Sequence, residues 1–170
     1  YAAPIGALYA YDRNTLATAT ALIAGNVANR IAYNVYNNQG QVAYAIDPVG
    51  AVIGFTYDNE GRVTKSAQYA ALFSTAGLAS SLQWKSDLDT WAGGNASGAR
   101  VSRHYYAVRG ELIGSVDAAG YVTLNDYDDE ARVVQTRRFS GSISVNDGTT
   151  ITDIRNADKG AVRSESFEYD

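Results

Sequence analysis

The side chain best suited to acid–base or metal chemistry is His104, the single histidine of the 170-residue chain. A zinc site built on imidazole, or a Ser-His-Asp triad, would depend on this one residue. It directly precedes Tyr105 and Tyr106, where a histidine that faces solvent or packs on tyrosine is ordinary. No activated nucleophile is identifiable beside it, so we expect a protein that is not an enzyme and has no cofactor.

The densest group of carboxylates consists of Asp126, Asp128, Asp129 and Glu130. Carboxylate oxygens are the ligands that Ca²⁺ prefers. The chain nevertheless lacks an Asp-x-Asp-x-Asp-Gly loop and a glycine-rich nonapeptide, and it has no cysteine for a thiolate site. Asp128 and Glu130 also repeat the positions of Asp58 and Glu60, which suits a turn. We therefore expect no metal site, with calcium as the alternative for this cluster.

Aromatic rings offer a different chemistry, because an exposed ring can stack on a sugar. The chain has 13 tyrosines and 2 tryptophans. The candidates for ligand binding are Tyr105, Tyr121, Trp84 and Trp91, with Tyr33, Tyr36 and Tyr106 as further tyrosines of the same kind. The tyrosines fall at strand spacing, which favours rings packed on the core face of a sheet.

Composition excludes several classes of partner. A net charge of −4 and a pI near 4.9 argue against nucleic acid, which requires clustered Lys and Arg; the one basic cluster, Arg132 with Arg137 and Arg138, suits a solvated strand face. No apolar run approaches the roughly 20 residues that span a bilayer, so we expect no membrane insertion. Abundant Ala, Gly, Asn, Ser, Thr and Tyr with few Lys is typical of large exported bacterial proteins, and we expect a secreted or cell-surface location.

A seven-residue motif organises these side chains, and the chain repeats it. Tyr57–Val63 recurs 70 positions later as Tyr127–Val133, and a weaker form precedes it at Tyr36–Val42. A shift of 70 aligns 30–63 with 100–133 without a gap. The repeated motif positions are Arg30, Tyr36, Gly40, Asp47, Gly50, Tyr57, Asp58, Gly61 and Arg62 in the first copy, Arg100, Tyr106, Gly110, Asp117, Gly120, Tyr127, Asp128 and Arg132 in the second, and Arg163 and Tyr169 in a third.

The period divides the chain into repeat units at 1–68, 69–138 and 139–170, the last of them truncated. Because the third copy stops at Tyr169-Asp170, we interpret the chain as a piece of a longer protein.

Each unit is expected to contain two hairpins and a helical insert. Turn residues fall every ten or eleven positions, and the runs between them, such as Gln41–Ile46 and Ala51–Tyr57, are rich in β-branched and aromatic residues. Apolar spacing and flanking glycines predict helices over Asn14–Ala24, Ser81–Trp91 and Thr150–Asp158. We expect the inserts to pack over the sheet, because the tryptophans of the second need apolar surroundings.

The motif residues then acquire structural roles. Tyr should pack along one face of the sheet, with Val in the same layer. Arg should lay its stem over an aromatic ring and pair its guanidinium with a turn carboxylate.

These residues resemble the YD repeat of the Rhs family, whose pattern is similar to Asp-Pro-x-Gly, a short strand, Tyr-x-Tyr-Asp, two variable residues, and Gly-Arg with an aliphatic residue. Asp47–Val63 matches nearly throughout, with Phe55 in place of the first Tyr. Asp117–Val133 is a looser copy, with Ala118 for Pro, Asn125 for the aromatic residue and Ala131 for Gly.

The resemblance implies a mainly β fold, a tandem ribbon of YD hairpins with short helical inserts between units of about 70 residues. It implies a non-catalytic structural segment of a stalk or toxin-enclosing shell. Its partners would be the flanking repeats and an enclosed C-terminal toxin domain. The alternative is an adhesive module that recognises glycans or cell-surface proteins through repeated aromatic surfaces.

Overall fold

The protein is mainly β. The computed structural model describes residues 31–74 and 84–169. Within these ranges the chain forms nine strands and two short helices. The strands are β1 (Tyr33–Tyr36), β2 (Val42–Ile46), β3 (Ala51–Tyr57), β4 (Val63–Leu72), β5 (Arg100–Tyr106), β6 (Leu112–Val116), β7 (Tyr121–Tyr127), β8 (Val133–Ser142) and β9 (Val162–Ser166), and the helices are α1 (Trp84–Gly94) and α2 (Ile151–Asn156).

The nine strands form one sheet in which each strand pairs with the next along the chain. Every pairing is antiparallel. The mainly β prediction is confirmed, and β3 has the predicted bounds. The predicted helix at Asn14–Ala24 lies outside the described residues.

The strands recur with the period of the sequence. From β2 to β4, each strand has the bounds of a later strand shifted by 70 positions. The register recurs as well, since Ile46 opposite Val52 in β2–β3 corresponds to Val116 opposite Val122 in β6–β7. We call β1–β4 with α1 the first unit and β5–β8 with α2 the second unit.

The turns between these strands share one geometry. In each, the fourth residue donates its N–H to the carbonyl of the first and has a positive φ. Glycine tolerates that φ without a steric penalty. The fourth residues are Gly40, Gly50, Gly61, Gly110, Gly120 and Ala131, the last with a φ of 63°.

Helix α1 covers the first unit. Its buried residues Leu88 and Ala92 are spaced to lie on one face, and Leu88 packs with Val35, Ile46 and Val52 of the sheet. The helix ends at its two glycines, and the Asn95 N–H that follows donates to the carbonyls of Trp91 and Ala92 in the last turn. The predicted helix over Ser81–Trp91 is confirmed from Trp84 onward and continues to Gly94, three residues beyond the predicted end; residues 81–83 lie outside the described residues.

Helix α2 covers the second unit and is shorter than the predicted Thr150–Asp158. Thr150 caps its first turn in a reciprocal pair of hydrogen bonds with Asp153. Ile154 is fully buried in a core with strands β6 and β7. At the other end the buried Lys159 ammonium donates to the carbonyls of Ile154, Arg155 and Ala157 at 2.7, 2.9 and 2.6 Å. The carbonyl groups at the end of α2 therefore receive their hydrogen bonds from the buried Lys159 side chain.

Each insert thus packs on the hairpins that precede it along the chain. The boundaries predicted at 68/69 and 138/139 group each insert with the hairpins that follow, and they fall inside β4 and β8. The expectation that the tryptophans of α1 pack over the sheet is confirmed, because both rings lie against the first core, formed by Val35, Ile46, Val52 and Leu88.

Candidate functional site

The motif tyrosines join each hairpin to the one before it. Neighbouring hairpins pair with each other over only a few residues. Between β2 and β3, for example, the pairs run only from Tyr44–Gly54 to Ile46–Val52, and beyond Tyr44 and Gly54 the two strands diverge toward the turns 37–40 and 58–61. A tyrosine hydroxyl spans each divergence and donates to a backbone carbonyl of the preceding hairpin. The pairs are Tyr57 with Val42 at 2.8 Å, Tyr106 with Val63 at 3.1 Å, Tyr127 with Leu112 at 3.0 Å, and Tyr169 with Val133 at 2.8 Å.

We call these four contacts the tyrosine ties. A hydrogen bond of this type contributes about 0.5–1.5 kcal/mol. The motif requires tyrosine here because phenylalanine would supply the ring and lack the donor.

The motif arginines add a second contact between hairpins: the predicted pair with a turn carboxylate is confirmed, whereas the ring is contacted by the guanidinium and not by the predicted stem. The Arg62 Nε lies 2.6 Å from Oδ2 of Asp58, and its guanidinium carbon lies 4.7 Å from the centre of the Tyr106 ring. Arg132 repeats this geometry with Asp128 at 2.7 Å and with the Tyr169 ring at 4.8 Å. Each arginine therefore connects its own turn to the next hairpin through a cation–π contact.

The turn aspartates are the acceptors that organise this arrangement. The Asp58 carboxylate accepts from the backbone N–H groups of Glu60 and Arg62 at 3.1 and 2.8 Å. Burial acts to raise the pKa of Asp58, but these N–H groups and the Arg62 guanidinium favour the charged form and hold the pKa below its usual value. At the equivalent turn burial likewise acts to raise the pKa of Asp128, but the Arg132 guanidinium and the backbone N–H groups of Glu130 and Arg132 prevail and lower it. Asp47 and Asp117 cap their turns with the same backbone bonds.

An open groove of about 820 Å³ lies where the two hairpins of the first unit diverge. Its two ends are the turns 37–40 and 58–61, and helix α1 contributes Lys85 and Asp89 to its wall. The side chains are mostly polar, with aromatic residues between them. They include Asn37, Gln41, Tyr44, Phe55, Tyr57 and Asp89.

A polar network holds one wall of this groove in place. The Tyr44 hydroxyl donates to Asp89 at 2.8 Å, and Lys85 donates to the other oxygen of the same carboxylate at 2.7 Å. Burial, with the Asp89 carboxylate next, raises the pKa of Tyr44. Burial acts to raise the pKa of Asp89, but the bonds from Lys85 and Tyr44 prevail and lower it. The pattern of the sequence did not reveal this network, since its members are 45 positions apart.

In the second unit, different side chains occupy the positions that line this groove in the first unit. Asn125 stands where the first unit has Phe55, and its amide donates to the Leu112 carbonyl at 2.9 Å, across the divergence. Gly114 stands where the first unit has Tyr44, and a Cβ there would meet Ile151 of α2 at 2.6 Å. In the first unit the large residue of this cross-strand pair lies on β2, where Tyr44 is opposite Gly54. In the second unit the large residue lies on the partner strand β7, where Leu124 is opposite Gly114. Ile151 and Leu124 thus occupy the space above Gly114.

His104 lies on β5, opposite Ser115. Its Nδ1 is buried and has no hydrogen-bond partner among the described residues. Burial lowers the pKa of His104, because it disfavours the charged form of the ring. No carboxylate or serine hydroxyl of the described chain forms a hydrogen bond with it, which leaves the arrangement short of a triad.

Three carboxylates of the acidic cluster are paired with arginines, and two of these, Asp128 and Glu130, share Arg132. Asp126 accepts from Arg137 at 2.8 Å, whereas Asp128 pairs with Arg132. Across residues 31–74 and 84–169, no three His, Asp or Glu side chains come together in a manner that would hold a metal ion.

The aromatic residues predicted for ligand binding divide into two groups. Trp84 packs edge-on against Tyr33 at 5.7 Å, and Trp91 contacts Tyr69 and Phe73 at 5.2 and 5.4 Å, all within the first core. Tyr105 packs on the second core, formed by Val116, Val122, Leu124 and Ile154. Tyr121 differs from these, because 47% of its surface is exposed.

The remaining motif positions lie at the margins of the described sheet. Tyr36 ends β1 and is 54% exposed, and Arg100 begins β5 as an exposed residue. Arg163 on β9 has a side chain that is 83% exposed and lies 3.6 Å from Glu165. Arg30 lies outside the described residues.

Searches with the sequence return no relationship that would assign a function. No protein-family model matches the chain, and no curated protein sequence matches it. Among the described helices, neither is long and apolar enough to cross a membrane.

Proposed function

We propose that the chain is a non-catalytic structural segment of a large secreted or surface-exposed bacterial protein of the YD/Rhs type. In that protein it forms part of a stalk or of a shell that encloses a toxin. Its partners are the flanking repeats of the same protein, and in a shell also an enclosed C-terminal toxin domain.

One observation carries this proposal: the contacts that connect the first unit to the second recur between the second unit and the strand that follows. Arg62 lies on Tyr106, whose hydroxyl donates to Val63. The contact of Arg132 with Tyr169 has the same form. A joint that recurs at every unit boundary supports a ribbon that extends by addition of like units. Such an array transmits stability between neighbours.

This coupling between units is tested by comparing the unfolding transitions that two different probes report. The chain has 2 tryptophans, and both lie in α1 on the first core. Their fluorescence in urea therefore reports the first unit, whereas far-UV circular dichroism reports the whole sheet. We expect the two transitions to coincide.

The double variant Arg62→Ala with Tyr106→Phe removes the side-chain contacts between the units, leaves only the four-residue β4–β5 ladder to join them, and should separate the transitions. A matched control, Arg132→Ala with Tyr169→Phe, removes the same contacts beyond the second unit and should leave them coincident. Midpoints that differ by more than about 0.5 M urea in the unaltered protein would contradict a continuous ribbon.

Sequencing of the reading frame on both sides of the chain distinguishes the two forms of the proposal. A long YD array that ends in an unlike C-terminal domain supports a toxin-enclosing shell. Many further units bounded by secretion or cell-wall anchoring signals support a stalk.

A second candidate function is adhesion to glycans. It is supported by the groove of the first unit, where polar and aromatic side chains meet at an open surface. The packed positions of Trp84, Trp91 and Tyr105 argue against adhesion through those rings.

A further inference from the structure

We propose that the groove between the two hairpins of the first unit binds a neutral oligosaccharide. The groove is the opening between the turns 37–40 and 58–61, walled on one side by α1. This inference rests on the second candidate function. Its failure would leave the structural role intact, because that role is judged by the coincidence of unfolding transitions.

The size and shape of the groove suit a short oligosaccharide. Its volume of about 820 Å³ lies within the range of roughly 300–1,000 Å³ of sites for small ligands. It is open toward solvent between two turns, so a ligand longer than the groove can extend into solvent.

The lining favours a ligand with many hydroxyl groups. The side chains of Asn37 and Gln41 are joined by a hydrogen bond of 2.7 Å and still have further donor and acceptor positions. Asn38, Gln39 and Asn59 extend the polar surface along the turns. A predominantly apolar ligand would leave these groups unpaired, and each unpaired polar group is unfavourable. Phe55 and Tyr57 also line the groove and are only partly buried, and ring surface of this kind suits the CH face of a sugar ring.

The charges around the groove favour a neutral ligand. Asp58 is paired with Arg62 at 2.6 Å, and Asp89 with Lys85 at 2.7 Å. Glu60 also contacts Arg62, at 3.2 Å. These three carboxylates share only two cations, Arg62 and Lys85, and the excess of negative charge disfavours a phosphate or a polyanionic sugar by like-charge repulsion.

Comparison with the second unit shows which residues make the groove. The amide-bearing positions 37, 38, 39 and 41 are occupied in the second unit by Ala107, Val108, Arg109 and Glu111. The ring of Phe55 is replaced by Asn125, whose amide bonds across the divergence. The hairpin backbone is the same in both units, so the side chains that differ are the ones that give the first unit a binding surface.

Isothermal titration calorimetry of the full chain with cellohexaose, maltohexaose and chitohexaose tests the proposal, with a hexamer of galacturonic acid as the anionic comparison. We expect at least one neutral hexasaccharide to bind with a Kd of about 10 µM to 1 mM. The variants Phe55→Asn and Gln41→Glu install the second unit's residues, and each should weaken that binding by about tenfold or more. Circular dichroism verifies the fold of both variants.

The reciprocal variant Glu111→Gln in the second unit is the matched control and should leave the affinity unchanged. Three outcomes would overturn the proposal. They are no heat of binding for the three neutral sugars up to about 10 mM, binding that survives both Phe55→Asn and Gln41→Glu, and binding of the galacturonate hexamer alone.

Discussion

Replacement of Gly50 by alanine should disrupt the fold far more than the same replacement at Gly40. Both glycines end a turn of the same type, with φ of 92° and 78°. They differ in their surroundings. A Cβ at Gly50 would lie 2.5 Å from the backbone oxygen of Phe73, whereas a Cβ at Gly40 meets nothing within 4 Å among the described atoms. The Phe73 N–H also donates to the Gly50 carbonyl at 2.8 Å, so the turn and the segment after β4 hold each other.

The expected magnitudes follow from these contacts. A non-glycine residue in the left-handed region costs roughly 1–2 kcal/mol. Alanine recovers about 0.4–1 kcal/mol by restricting the unfolded chain. Gly40→Ala should therefore destabilise the protein by about 0.5–1 kcal/mol. Gly50→Ala must in addition displace backbone, which adds about 1–3 kcal/mol. We expect a total of about 1.5–4 kcal/mol from these terms.

Urea denaturation followed by tryptophan fluorescence and circular dichroism measures both values. Gly120→Ala provides an independent repetition in the second unit, since a Cβ there would lie 2.5 Å from the Ile143 carbonyl oxygen. It should resemble Gly50→Ala. Equal effects at Gly40 and Gly50, within about 0.5 kcal/mol, would refute the inference that close backbone approach selects glycine at the second turn of each unit.

Three further predictions concern the repeated motif. Ala131 has the φ of 63° that glycine adopts at the matching turn of the first unit, so Ala131→Gly should raise the free energy of unfolding, by up to about 1 kcal/mol, and a lower melting temperature would contradict this reasoning. Tyr106→Phe removes one tyrosine tie and should destabilise by about 0.5–1.5 kcal/mol in urea, whereas Tyr121→Phe at an exposed ring should stay within about 0.5 kcal/mol; similar losses for the two would argue against the tie. The lowered pKa of Asp58 means that its stabilising contribution is present above the unfolded pKa of about 3.9 and is lost as the pH falls through the lower folded value. Asp58→Asn should therefore flatten the decline of stability between about pH 5 and pH 2, and an unchanged pH profile would show that this carboxylate contributes nothing.

The local parts of this structure were readable from the sequence because they depend on neighbouring residues. Asp at the first and Gly at the fourth position of a turn act within four residues, and the strands between turns follow from their composition. The pairing of Arg62 with Asp58 was predictable for the same reason. Helix α2, which Thr150 caps, likewise depends on local hydrogen bonds, although the sequence predicted an end at Asp158 and the helix ends at Asn156.

The candidate groove was not predictable in this way. Its network joins Tyr44 to Asp89 across 45 positions, and the period of 70 conceals the fact that Phe55 and Asn125 behave differently at equivalent places. A comparison of the two motif copies records the change from Phe55 to Asn125 only as a mismatch. Its structural effect depends on which groups of the preceding hairpin lie opposite that side chain.

The sequence by itself determined the repeat, its turns and its strands, because each of these is specified by contacts a few residues apart. Only the tertiary structure decided that each insert covers the hairpins before it, that the bulky member of the Tyr44–Gly54 pair changes strand at Gly114–Leu124, and that tyrosine hydroxyls tie successive hairpins together. These features depend on side chains meeting across the folded sheet, and such meetings are set by packing volume and by buried hydrogen-bond demand.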